Sequence, residues 1–245
     1  MQGVVGPLHV IAKERTHMQG LVQAFGSTTG RKYVMAVTGL AWFGFLITHL
    51  TANLLLLAPD GGEAFNNYAY GLASLGPLLW VAELGLLVLL LLHVYMANMV
   101  HMAKVKARQS RYAVTANAGG ASRKTMASMS MIHTGRVLFL FLLFHLWSIK
   151  FGTEYEVTYD GVVMRDLHRL MVEQYSNPIY VVGYLVIMVV LGFHLRHALW
   201  SACQSLGLNH PKWTPIIEKV GLGAAIAMAA GFFIIPIAMF LGVGQ

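Results

Sequence analysis

Four histidines lie deep within apolar runs of this sequence: His49, His93, His145 and His194. A neutral imidazole offers a lone pair to a metal and an N–H to a neighbour, and a polar ring in hydrocarbon is costly without such partners. A single histidine of this kind reads as a hydrogen-bonded packing residue as readily as a ligand. Two of the four, however, sit in a repeated context. Thr38-Gly39 stands eleven and ten residues before His49, and Thr134-Gly135 stands at the same offsets before His145. Seven of the thirteen positions from Thr38 to Leu50 are identical, without a gap, to those from Thr134 to Leu146. Eleven residues at 100° each return to nearly the same helical face, so threonine and histidine look the same way about 16 Å apart. Gly39 and Gly135 remove side chains where a flat macrocycle would lie against the backbone; the competing reading is that small residues let membrane helices approach.

The elements that carry these residues are long apolar stretches. Of 245 residues, 57% are hydrophobic and only 11% charged, against about 25% charged in soluble domains. Five runs, near 33–57, 78–103, 131–151, 178–203 and 216–242, each approach the ~20 residues that a bilayer demands. The expectation is an all-α membrane protein, with a polar, Gly-rich N-terminal arm over 1–32 and one transmembrane domain over 33–245. Pro77, Pro178 and Pro215 stand where a helix's first turn tolerates a missing N–H. Asn177 and Thr214 are placed as N-caps, and Pro236 is expected to kink the last span. No leader with a short apolar core and a small-residue cleavage site is expected at the N-terminus. The single cysteine, Cys203, excludes an intrachain disulfide and a self-contained cysteine-ligated cluster, and no Cys-x-x-Cys-His is present for covalent haem attachment.

Charge sets the expected orientation. The arm, the loop 104–136 and the segment 196–219 hold fourteen of the seventeen Lys and Arg residues, whereas the connections near 58–77 and 150–177 hold seven of the ten acids. The positive-inside rule then puts the N-terminus in the cytoplasm and the C-terminus outside a plasma membrane. The net charge of +7 follows from topology and calls for no nucleic-acid partner. The basic face is either a docking surface for a soluble partner or a solvated, lipid-facing edge.

Depth pairs the histidines. His49 and His145 lie sixteen and fourteen residues into outward-running spans, and His93 and His194 each lie sixteen residues past the proline opening an inward-running one. At 1.5 Å per residue the first pair lies roughly 20–24 Å from the cytoplasmic end, and the second roughly as far from the outer end. Two histidines at each of two levels match two bis-histidine haems b stacked across the membrane. The iron ligands are then His93 with His194 on the inside and His49 with His145 on the outside.

Other polar residues fall around them. His101 and His197 lie nearer the cytoplasmic surface, as neighbours of propionates or quinone, or as interfacial residues. Arg31, Lys32, Arg136 and Arg196 cluster at the inner edge, where they either pair with propionates or anchor the topology. Glu83, ten residues before His93, is either a proton acceptor for a quinol or an acid reaching to the outer interface. In the last span Gly223, Ala227 and Gly231 form a small-residue stripe without a histidine, as expected of a packing helix.

These residues together resemble a known family. One histidine on each of the first four of five spans, Thr-Gly-x9-His twice, Gly192-Phe193-His194 followed by Leu199-Trp200-Ser201, and Glu63-Ala64-Phe65-Asn66 are similar to the diheme cytochrome b membrane anchor of succinate dehydrogenase and fumarate reductase. The resemblance covers about residues 33–240. It implies a haem-binding four-helix bundle plus one packing helix, and the same histidine pairing. It also implies a flavoprotein and an iron–sulfur subunit as partners, and menaquinone or ubiquinone as membrane substrate. At Gly192 the chain departs from relatives that carry a glutamate just before the fourth ligand, which puts a proton route through that helix in question. The alternative keeps the diheme core but attaches it to another dehydrogenase, of hydrogenase or formate dehydrogenase type. A small transporter with packing histidines is the non-redox reading.

Overall fold

The computed structural model describes residues 26–107 and 126–244; most of the N-terminal arm and residues 108–125 of the basic loop lie outside them. In chain order the elements begin with α1 (Thr28–Asn53), which tightens into a 3-10 turn over Leu54–Leu57, then α2 (Glu63–Ala73) and α3 (Pro77–Lys106). Helix α4 (Met126–His145) widens into a π turn over Leu146–Lys150. Strands β1 (Glu156–Tyr159) and β2 (Val162–Arg165), α5 (Leu167–Tyr175), α6 (Pro178–Ser205) and α7 (Thr214–Phe240) complete the chain. Among the described residues five helical segments are long and apolar enough to cross a membrane: Thr28–Leu57, Pro77–Lys106, Met126–Lys150, Pro178–Ser205 and Thr214–Phe240.

Their outer faces carry large apolar side chains. Trp80 is 70% exposed and Ile179 82%, and α3 has no buried residue at all. Continuous apolar surface of this kind is unfavourable in water and is matched by lipid. Helix α6 is the hub and packs against α7, α4 and α1, while α1 also packs against α3. The hub follows from its pattern: Val181, Tyr184, Met188, Leu191 and Leu195 recur at helical spacing and are buried. They meet a matching stripe on α7 that includes Ala225, Met228, Ile235 and Met239.

Several local expectations change. Asn177 caps α6 by accepting from the Ile179 N–H at 2.9 Å, but Thr214 is the first residue of α7 rather than its cap and accepts from the His210 N–H. Pro236 lies fully buried inside α7, within the span where the sequence puts it. In the small-residue stripe a Cβ at Gly231 would lie 2.6 Å from Leu50 Cδ2, whereas Gly223 faces open space. Gly192 is held by close packing, since its Cβ would come within 3.1 Å of Ala229 Cβ on α7.

The two acidic connections are not plain loops. They build a small cap over one end of the helices, the end at which α1 and α4 finish. Strands β1 and β2 pair antiparallel through a turn at Asp160 (φ 50°) and Gly161 (φ 79°), the left-handed conformation that tight hairpin turns require. Asn66, fully buried, donates to Asp166 Oδ1 at 2.9 Å and accepts from the His168 N–H at 3.0 Å, tying α2 to α5. Arg165 donates to the carbonyls of Ile149, Lys150, Gly152 and Thr153 at 2.9–3.3 Å. The end of α4, whose last carbonyls have no partner within the helix, is closed in this way.

Candidate functional site

His93 on α3 leans on α1. Its Nδ1 lies 3.1 Å from the Met35 carbonyl and 3.2 Å from Thr38 Oγ1. The threonine hydroxyl itself donates to the Val34 and Met35 carbonyls, at 2.8 and 3.2 Å. A carbonyl only accepts, so Nδ1 carries the proton and Nε2 keeps the lone pair. The same seat recurs on the other helix pair. His194 Nδ1 on α6 lies 3.1 Å from Thr134 Oγ1 on α4, and that hydroxyl donates to the Ser130 and Met131 carbonyls at 3.2 and 3.1 Å. The Thr-Gly repeat is therefore a histidine seat. A Cβ at Gly39 would lie 3.0 Å from His93 Cε1, and one at Gly135 would lie 3.4 Å from His194 Cε1. The glycines make room for an imidazole from the neighbouring helix, and both also line the cavity described below.

The second pair is organised differently. The rings of His49 on α1 and His145 on α4 lie 5.9 Å apart, centroid to centroid, at 85° to each other. His145 Nδ1 is 3.0 Å from the Tyr184 hydroxyl. His49 stacks on Phe45 and touches Phe232 of α7, and among the described residues no hydrogen bond reaches its ring. Helix α7 thus contributes to the site after all, through an aromatic side chain rather than a ligand.

All four histidines line one cavity of about 1900 Å³, larger than the roughly 300–1,000 Å³ of an ordinary small-molecule site. The cavity wall also includes His101, His197, Arg136 and Lys32. Arg31 does not reach it, and Thr38 and Thr134 act behind the histidines rather than at the wall. Arg196 faces a separate groove of about 440 Å³ between α6 and α7. Glu83 lines the cavity and forms an ion pair with Lys150, whose ammonium also sits 5.5 Å above the Trp80 ring.

Sequence reasoning missed Met35, Tyr184, Lys150, Phe232 and Trp42. Trp42 lines the cavity, and its buried indole N–H has no hydrogen-bond partner. A buried orphan donor beside a ligand-sized space was the one signal available, and it exists only in three dimensions. Next to the site, burial raises the Tyr175 phenol above its ordinary value, so this residue packs as a neutral ring. Among the described residues no three His, Cys, Asp or Glu side chains converge at metal-ligand range. An ion held between His49 and His145 would have those two protein donors and would need its other ligands from elsewhere. Compared with protein-family models, curated proteins and solved structures, the chain matches none of them.

Proposed function

We propose that this chain is a diheme cytochrome b: a membrane anchor that carries electrons between an iron–sulfur partner and a membrane quinone, as in succinate dehydrogenase and fumarate reductase. The observation that carries this reading is the histidine set itself. His93, His145 and His194 each have Nδ1 engaged by a partner behind the ring, and their Nε2 atoms are without one among the described residues. An imidazole whose N–H is held by the protein is the usual form of a metal-bound histidine.

The spacing of the other pair agrees. The rings of His49 and His145 stand 5.9 Å apart, centroid to centroid, so that the two residues could hold one iron between them. Direct edge-to-face packing would produce the same spacing, so the ring distance supports the reading without carrying it. A haem would bring its own further donors to an iron held by two histidines, which suits a site where no third protein ligand converges among the described residues. The cavity volume suits more than one such group. Arg136, His101 and His197 line its wall, and their cationic or N–H groups would suit acidic substituents of a cofactor.

Haem iron, when bound, supplies one-electron storage at each level. The chain's own part is to present Nε2, exclude water and handle the protons that accompany quinone chemistry. For protons the reading assigns Glu83, held by Lys150 at the cavity wall. Orientation follows from charge: the basic end faces the cytoplasm and docks the iron–sulfur subunit of a complex in the plasma membrane, with the flavoprotein beyond it. The same diheme core on a hydrogenase or formate dehydrogenase partner is the alternative.

Purified chain should show a low-spin bis-histidine spectrum with two haems b per chain. A colourless preparation that takes up no added haem would remove the proposal. Copurification with a covalently flavinylated subunit, against a nickel- or molybdenum-containing one, separates the two kinds of partner.

A further inference from the structure

The two histidine pairs are held by different chemistry, and the difference centres on His145. Its Nδ1 lies 3.0 Å from the Tyr184 hydroxyl. Tyr184 OH lies 3.2 Å from Tyr180 OH, and Tyr180 OH lies 2.9 Å from Ser148 Oγ. Ser148 Oγ in turn donates to the backbone carbonyl of His145 at 3.3 Å, the longest link. The four bonds form a closed ring that begins and ends on one residue.

The ring has only one direction. The His145 carbonyl accepts and never donates, so Ser148 must spend its proton there. Ser148 then accepts from Tyr180, Tyr180 accepts from Tyr184, and the Tyr184 oxygen is left to accept from His145 Nδ1–H. A single backbone carbonyl thereby fixes the tautomer of the imidazole, with the Nε2 lone pair turned away from the ring. Bonds in such a chain polarise one another, and the low dielectric around them strengthens each.

The local fold exists to close this circuit. Helix α4 leaves α-geometry just after His145, and the π turn over Leu146–Lys150 carries Ser148. The Ser148 carbonyl is taken up by Gln174 Nε2 at 2.7 Å. Tyr184 is 5% exposed and packs between Phe141, Tyr175 and Tyr180, with ring centroids at 5.0, 5.4 and 4.8 Å. Short π segments inside helices recur at functional sites. His93 and His194 have no such circuit, since each Nδ1 ends on a threonine or a carbonyl of the adjacent helix.

We propose that Tyr184 is a positioning residue for the His49–His145 centre: the His145–Tyr184–Tyr180–Ser148 ring presents Nε2 to iron and sets that centre's reduction potential independently of the other. This rests on the diheme reading. A hydrogen-bond acceptor on Nδ1–H makes the imidazole a stronger donor and favours the oxidised metal. Removing the acceptor therefore favours reduction.

The test is a spectroscopic redox titration of the purified chain, with the His49–His145 component identified as the one lost in His49→Ala. Tyr184→Phe keeps the ring stack and deletes only the hydroxyl. It should move that component's reduction equilibrium at least threefold towards the reduced form, which is about 30 mV at 59 mV per tenfold for one electron. Ser148→Ala, which opens the circuit at its far end and touches neither histidine ring, should shift the same component in the same direction by less. The other component should not move in either variant. A two-haem Tyr184→Phe protein with wild-type potentials, or one in which both components shift equally, overturns the role of Tyr184 and leaves the diheme reading standing. A wild-type chain without haem overturns both.

Discussion

Thr134 Oγ1 stands 3.1 Å from His194 Nδ1, and among the described residues no other hydrogen bond reaches that ring. Thr38 holds His93 in the same way at 3.2 Å, but His93 Nδ1 also has the Met35 carbonyl at 3.1 Å. The repeat therefore makes one seat twice, with a second acceptor in only one copy.

This asymmetry predicts unequal costs for removing the hydroxyls. Thr134→Val, which keeps the shape, should weaken haem retention at the His93–His194 level by about 10- to 100-fold. Thr38→Val should cost less, because the Met35 carbonyl remains. Haem transfer to an apo-acceptor measures both. Equal losses in the two variants would contradict the assignment of the carbonyl as a second acceptor.

The glycines order the other way. A Cβ at position 39 would meet His93 Cε1 at 3.0 Å, tighter than ordinary contact, whereas one at 135 would meet His194 at 3.4 Å. Gly39→Ala should displace the His93 ring and lose the haem at that level, and Gly135→Ala should keep it. Haem content per chain decides, and a full complement in Gly39→Ala would show that the seat yields.

The ligands themselves give the bluntest test. Alanine at His49, His93, His145 or His194 should each remove or convert one low-spin haem, with the other intact. His101→Ala and His197→Ala should leave two, since these side chains line the cavity without belonging to either pair. Four variants that all retain two bis-histidine haems would exclude the pairing.

Glu83 is paired with Lys150, and both are about one-third exposed (33% and 37%), so the ion pair contributes only about 0–1 kcal/mol to stability. Glu83→Gln should keep both haems and the partner's activity with soluble dyes, yet lose most quinone-dependent turnover. Lys150→Met should leave the haems and alter quinone kinetics through its partner. Wild-type quinone kinetics in Glu83→Gln would reduce Glu83 to an interfacial acid.

Arg165 donates to four carbonyls at the end of α4. Arg165→Ala should cost about 3 kcal/mol, taking hydrogen bonds from a charged donor at 1.5–3 kcal/mol each and allowing for water at the exposed ones. A thermal melt should then shift down by roughly 6–12 °C.

The spans were legible in the chain alone because apolar length and composition are local properties, and a bilayer reads them locally. The helix at Thr28–Leu57 starts five residues before the apolar run at 33, and the chain is already helical at Met126, five residues before the run at 131. Polar first turns continue a helix that hydropathy does not register, and Ser27 caps α1 by accepting from the Gly30 N–H. The histidines, the Thr-Gly repeat and Glu83 were also visible, since each is marked by residue type and helical spacing within one element. What faces each of them was not. Thr38 meets His93 across 55 residues, Thr134 meets His194 across 60, and Tyr184 meets His145 across 39. No periodicity within a helix encodes a partner on another helix. Only the packing of α1 on α3 and of α4 on α6 decided that the glycines seat imidazoles, and only the approach of α3 to the π turn after α4 decided that Glu83 meets Lys150. The ring through Ser148 needed more still, because the π turn after His145 depends on side chains from β2 and α5 to take up the carbonyls it frees.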